Sequence, residues 1–182
     1  MRIYVASSWR NVLQPTVVAA LRGAGHIVYD FRDHGFDWKQ CATAEQLFDP
    51  RRFRDEVLSH PLARAGFAKD MDALKNADAT VLVLPCGRSA HLELGYAVGA
   101  GQRTVVLLDD PISEPELMHL MCTKLCTSMD EVLDAVQEPI VALPVATLTY
   151  GQLVDALVEE HEPLAKAALR YELLRRLERG AL

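Results

Sequence analysis

The sequence predicts a doubly wound α/β fold: five parallel strands in the flavodoxin-like order 2-1-3-4-5, followed by a C-terminal helical tail. Three observations predict it. Short apolar runs rich in β-branched residues recur along the chain (RIYVA, TVLVL, TVVLL), as expected of strands buried on both faces. Segments of helical character separate those runs, so the elements alternate as in successive βαβ units. Glycines stand just past the helices, at Gly23, Gly25 and Gly101, where a helix closes.

The elements follow in order. Arg2–Ala6 is the first strand, and Ser7, Ser8, Trp9, Arg10 and Asn11 form the loop after it. A helix then begins between Val12 and Pro15 and runs to Leu21, because Pro15 is tolerated only in a first turn. His26–Tyr29 is the second strand. Asp30 to Pro50 is the least regular part of the chain and is rich in Asp and aromatic residues (Phe31, Phe36, Trp38, Phe48); loops of this length in a domain are often functional. Short helical pieces are expected at Pro50–Ser59 and a longer helix at Pro61–Lys75, whose Leu62, Ala65, Ala68, Met71 and Leu74 form an approximate apolar face. Thr80–Leu84 is the third strand, Ala90–Ala100 a helix, Thr104–Leu108 the fourth strand and Lys124–Cys126 a weaker fifth. Ser128 to Glu131 is a capping box that opens a helix to Gln137. Residues 1–138 therefore form the α/β domain, and 139–182 a linker and helical tail. Pro139 and Pro144 hold the linker extended, and a second capping box at Thr149–Gln152 opens the tail. Its leucines (Leu153, Leu157, Leu164, Leu173) should pack on the domain or on another subunit.

Composition narrows the function. The chain has 182 residues, half of them apolar, which suits one domain with a substantial core. The net charge of −6 and the lack of a basic block argue against a nucleic-acid partner. A small anion is still compatible, since a helix N-terminus can hold one in an acidic protein. No run approaches the roughly 18 apolar residues of a membrane span, and MRIYVASSWRN shows no cleavage signal, so a cytoplasmic location is expected. Cys41, Cys86, Cys122 and Cys126 lack zinc-finger spacing and read as reduced thiols; neither a metal nor a cofactor is expected. Neither G-x-G-x-x-G nor a P-loop is present.

In the predicted strand order the first and third strands are neighbours, and ligands bind where their carboxyl ends diverge. Ser7–Asn11 and Cys86–Ser89 stand there, with Glu93 one turn into the next helix. The helix dipole favours an ionised Glu93, which at a crevice floor can serve as a nucleophile or stabilise an oxocarbenium-like centre; the plainer reading is an acid that steadies a first turn. Asp70 and Asp72 sit late in their helix, against the dipole, which hints at a role for at least one. Ser7, Ser8, Arg10 and Asn11 occupy a place suited to phosphate or ribose recognition. Tyr4 and Trp9 stand near the site or in the core, and His91 is a cap, a surface residue or a catalyst. Gly95 and Gly99 lie inside a helix on one face, where together they cost about 2 kcal/mol of helix preference. A close approach to that face would explain them, from the sheet, a ligand or a neighbouring subunit.

Three segments carry a resemblance. IYVASSW at Ile3–Trp9, KDMDALKNAD at Lys69–Asp78 and HLELGYAVGAGQRTVVLL at His91–Leu108 resemble the nucleoside 2-deoxyribosyltransferase superfamily, which includes deoxynucleoside 5′-monophosphate N-glycosidases. The resemblance covers roughly the first 110 residues. It implies that Glu93 attacks the anomeric carbon and forms a glycosyl-enzyme intermediate, that Asp70 assists at the base or sugar, that Tyr4 positions the nucleophile and that Trp9 lies near the base. Water or a second nucleobase then resolves the intermediate. The transferases carry an acidic residue six positions before the nucleophile, where this chain has Gly87. Gly87, Arg88 and Ser89 look more like the phosphate-binding loop of the nucleotide hydrolases. The implied substrate is a small-molecule nucleoside or nucleotide, and the implied assembly a homo-oligomer. A non-catalytic nucleotide-sensing domain on the same fold is the alternative, and an interaction module without a ligand is a third.

Overall fold

The computed structural model describes residues 1–34 and 36–137, with 149, 152, 154 and 155 beyond them. Strands β1 (Arg2–Ala6), β2 (Ile27–Asp30), β3 (Ala79–Val83), β4 (Arg103–Leu107) and β5 (Lys124–Cys126) form one sheet in the order β2-β1-β3-β4-β5. Every pairing is parallel. The predicted order is therefore the observed one, and the carboxyl ends of β1 and β3 lie side by side at the switch point. Helices α1 (Gln14–Gly23), α2 (Ala44–Phe48), α3 (Pro50–Arg52), α4 (Pro61–Lys75), α5 (Arg88–Gly99) and α6 (Met129–Gln137) complete the described elements.

The period of two along each strand sorts the core into two layers. Ile3, Val5, Val81, Val83, Val105 and Leu107 point towards α1 and α6, where Val17, Leu21, Val132 and Val136 meet them. Tyr4, Ala6, Leu82 and Val106 point the other way, onto Leu74 of α4 and Ala90, Leu94 and Ala97 of α5.

Local chemistry explains the element ends. Asn11 Oδ1 accepts from the backbone N–H of Leu13 (2.8 Å) and Gln14 (3.1 Å), so α1 starts at Gln14. Gly25 at φ 86° and Gly101 at φ 71° take the left-handed turns that end α1 and lead out of α5. β2 runs one residue later than the expected His26–Tyr29, because Asp30 is held in the buried layer by Gln14 Nε2 at 2.9 Å. At α6, Ser128 Oγ accepts from Glu131 N as predicted, but the Glu131 carboxylate reaches back to Thr127 N (2.7 Å), one residue outside the expected box.

Two expectations need correction. The stretch after β2 is more ordered than an irregular loop. It is a chain of short helices: 3₁₀ turns at Phe31–His34 and Trp38–Gln40, then α2, α3 and a π-type turn at Phe53–Val57. Asp37, Thr43 and Asp49 start the pieces by accepting from backbone N–H groups, with Gln46 completing a box at Thr43. Gly95 and Gly99 do not pack tightly on the sheet. Both lie on the exposed side of α5, and a Cβ at either would meet no atom within 4 Å. The linker and tail expected over 139–182 fall outside the described residues apart from 149, 152, 154 and 155. Thr149 and Gln152 do form their predicted box, with Thr149 N donating to Gln152 Oε1 (2.8 Å) and Gln152 N to Thr149 Oγ1 (3.3 Å). No helix of the described residues is long and apolar enough to cross a membrane.

Candidate active site

Tyr4 and Tyr29 are register partners on β1 and β2. Their side chains therefore emerge side by side, and the rings stack with centroids 5.3 Å apart and 14° between planes. Each hydroxyl reaches a carboxylate on a different helix. Tyr29 Oη donates to Asp70 Oδ1 of α4 at 2.7 Å, and the Tyr4 hydroxyl hydrogen-bonds Glu93 of α5. Two strands thus present two phenols to two acids. Tyr4, Asp70 and Glu93 all line a cavity of about 980 Å³ above the α4–α5 side of the sheet.

The acids are not in ordinary surroundings. Burial, and then the charge of Asp70, push Glu93 up to about 7, against the opposing pull of the Tyr4 hydrogen bond. Tyr4 is raised far above the usual phenol value by burial and by the charges of Glu93 and Asp70. Burial and the bond to Asp70 also raise Tyr29. Both phenols therefore stay protonated and act as donors. The neighbouring Cys86 thiol is pushed up to about 12 by burial and by Glu93 and Asp109, which makes it a poor nucleophile.

A latched loop closes one side. Ser7 Oγ donates to the Val83 carbonyl at 2.8 Å, and Asn11 Nδ2 donates to the carbonyls of Val83 (3.2 Å) and Pro85 (3.0 Å), tying the loop after β1 to the end of β3. From below, Arg32 Nη2 donates to the carbonyls of Ser8 (3.0 Å), Trp9 (3.1 Å) and Asn11 (2.8 Å). Its guanidinium also lies against the rings of Trp9 and Phe31, which meet edge to face at 5.1 Å. The far wall is aromatic as well. Phe36 and Trp38 pack edge to face at 4.9 Å, and Phe36 lies on Gly66 of α4. A Cβ at Gly66 would stand 3.2 Å from Phe36 Cδ2, so this helical glycine makes room for the ring.

Of the residues expected at the site, Tyr4, Ser7, Trp9, Asp70, Ser89 and Glu93 line the cavity; Ser8, Arg10, Gly87 and Arg88 do not. Asn11 is a structural latch, with all of its amide groups engaged by backbone. Asp72 is exposed and accepts from Asn76 in its own helix. His91 stays outside the cavity, with Nδ1 near Gly87 O (3.3 Å) and Cys86 Sγ (3.4 Å) and Nε2 3.4 Å from His119 Nε2. Among the described residues, no group of three or more His, Cys, Asp or Glu is placed to hold a metal ion. The sequence reading missed Tyr29, Arg32 and Gly66. Tyr29 was findable, since it stands in β2 at the register of Tyr4; Arg32 and Gly66 act across the fold and leave no local pattern.

The structure defines an α/β protein of the doubly wound class with a carboxylate-lined crevice at its switch point. No known family model matches the chain, and no curated protein sequence does. A solved structure does match in fold: a 2-deoxyribosyltransferase from the psychrotolerant bacterium Bacillus psychrosaccharolyticus, described as a biocatalyst for the synthesis of antiviral and antitumoral nucleosides. It aligns at a TM-score of 0.50 and 21% identity, over 74% of this chain and 91% of its own. The fold implied by the sequence resemblance is thus met: this chain has the fold of a 2-deoxyribosyltransferase.

Proposed function

We propose that this protein cleaves the N-glycosidic bond of a (deoxy)nucleoside or its 5′-monophosphate, with Glu93 as nucleophile. The observation that carries the reading is the convergence of Tyr4, Asp70 and Glu93 in one cavity. In the first step an oxygen of Glu93 bonds to the anomeric carbon while the bond from that carbon to the base nitrogen breaks. The base leaves with the bonding pair and takes up a proton. In the second step water, or the nitrogen of another base, attacks the same carbon and frees Glu93. Tyr4 steadies the carboxylate, and Asp70 assists at the sugar or the departing base. Trp9 and the aromatic wall of Phe31, Phe36 and Trp38 offer faces for the base. Ser89 and the first turn of α5, whose Gly87 cap provides no side-chain acceptor, offer donors for a 5′-phosphate. The exposed rim residues Leu62, Leu92 and Tyr96 suit the face of a second copy, in keeping with a homo-oligomer, and the setting we propose is the cytoplasm.

The test is incubation with deoxynucleosides and their 5′-monophosphates, with and without an acceptor base, following free base by chromatography. Release that disappears in Glu93→Ala is the expected result. No release from any of them, or release that survives the substitution, overturns the reading; tight binding without turnover would favour the nucleotide-sensing alternative. The pH dependence adds a check. Glu93 must be ionised to attack and is pushed up to about 7, so kcat/KM should fall as pH drops through that value.

A further inference from the structure

Glu93 and Tyr4 account for one half of the paired arrangement at the cavity floor. The other half, Tyr29 and Asp70, has the same construction, yet Tyr29 does not line the cavity and belongs to no motif. We infer that Tyr29 is a positioning residue: its hydroxyl clamps the Asp70 carboxylate beside Glu93, and its stack on Tyr4 sets the spacing of the two acids.

Three features of geometry carry this. The Tyr29–Asp70 contact is a short hydrogen bond, 2.7 Å, made by a group that spans 41 residues of sequence to reach its partner. The register of β1 and β2 places Tyr29 opposite Tyr4, and the stack of their rings, 5.3 Å between centroids, holds the two phenols side by side. Asp70 is itself only half-buried, on a helix whose neighbouring Lys69 and Phe67 are exposed. Among the described residues, the donor that reaches its carboxylate from the strand layer is the Tyr29 hydroxyl. Two like charges held close repel, so an anchor is needed if both acids are to serve one ligand.

The groups facing Glu93 come from every packed element. They are Tyr4 on β1, Tyr29 on β2, Asp70 on α4 and Cys86 on the loop after β3, while Lys69 and Arg64 of α4 line the same cavity. Asp70 contributes to the upward displacement of Glu93. Once unclamped, its carboxylate relaxes towards solvent and that contribution falls. Loss of the Tyr4 hydroxyl acts in the opposite direction, because that bond favours the ionised form of Glu93.

The decisive experiment is carboxyl carbon NMR titration of Glu93 in the wild type, Tyr29→Phe, Tyr4→Phe, Asp70→Asn and the Tyr29→Phe/Asp70→Asn pair. Phenylalanine keeps the ring on the stack, so a change reports the hydroxyl and not lost packing. The Glu93 midpoint should drop by about one pH unit in Tyr29→Phe and rise in Tyr4→Phe. In the Asp70→Asn background, Tyr29→Phe should leave the midpoint where it was, because the ring stack is kept and the clamp works through the bond from the Tyr29 hydroxyl to Asp70. An unmoved or raised midpoint in Tyr29→Phe overturns the inference, as does an equal drop in the Asp70→Asn background. The inference rests on the reading of Glu93 as nucleophile only for its meaning in turnover. If the substrate panel yields no release, that reading fails while the titration still decides the clamp. Where release occurs, Tyr29→Phe should lower kcat/KM by about 10- to 100-fold, as expected of a misplaced catalytic group.

Discussion

On the α1–α6 side of the sheet, the strands present Ile3, Val5, Val81, Val83, Val105 and Leu107, the helices answer with valine, leucine and alanine, and the buried polar groups lie at the margins, Asp30 with Gln14 and Arg103 with the Val136 carbonyl. On the α4–α5 side the same strands present Tyr4, Thr80 and Thr104 among their apolar residues, and the helices bring Asp70 and Glu93. The polar groups there are partnered one by one. Thr80 Oγ1 donates to Gln102 Oε1 at 3.0 Å, Gln102 Nε2 donates to the Leu74 carbonyl at 2.6 Å, and Thr104 faces Thr123. The comparison teaches a division of labour set by strand parity. Successive residues of one strand serve opposite faces: the α1–α6 face buries its polar groups against partners, as Asp30 against Gln14, whereas the α4–α5 face carries Glu93, whose charge burial disfavours.

Substitutions on the two faces should therefore fail differently. The largest effect is expected from Glu93→Gln. Catalysis should fall by about a thousandfold or more in the base-release assay. Stability should move the other way. The folded-state pKa of Glu93, about 7, lies above its ordinary 4.5, so between these values the folded protein keeps a proton that the unfolded chain has lost. Stability is then fully present below pH 4.5 and declines as pH rises through 7. At pH 8 the glutamine should thus add about 3 kcal/mol in urea unfolding, an order-of-magnitude figure from the displacement.

Next in size is Leu21→Ala, on the apolar face. Leu21 is fully buried, and its truncation should lower stability by about 2–5 kcal/mol while kcat of the folded fraction stays the same. Equal losses of turnover in Leu21→Ala and Glu93→Gln would break the comparison. Arg32→Ala tests the latch. Losing a charged donor to three carbonyls should cost about 2 kcal/mol and raise KM more than it lowers kcat, since the loop carries Ser7 and Trp9. Gly66→Ala is the smallest. The gain in helix preference, about 1 kcal/mol, offsets the displacement of Phe36, leaving melting nearly unchanged and KM altered through the aromatic wall.

The sheet order and the α4 boundaries, Pro61–Lys75, were legible because buried parallel strands and a proline-started helix leave local marks. Tyr4, Asp70 and Glu93 were legible because each stands in a short segment with its own pattern, and the cavity brings them together. What stayed hidden depends on rotation and reach. Sequence places Gly87, Arg88, Ser8 and Arg10 near the crevice by their strands, yet only backbone geometry decides that Ser7 and Ser89 line it and these four do not. The cost of Gly95 and Gly99 was visible, but the side of α5 on which they fall was not, and that side is open. The three carbonyls gathered by Arg32 lie 21 to 24 residues away, with no periodicity to announce them.

The Ser7 hydroxyl has one proton, and the Val83 carbonyl takes it. A ligand in the cavity therefore meets only lone pairs at Ser7. A sugar hydroxyl or a ring N–H is welcome there, while a phosphate oxygen would set acceptor against acceptor. The position of Ser7 thus favours ligand donors over ligand acceptors, a preference set by the polarity of hydrogen bonding rather than by size.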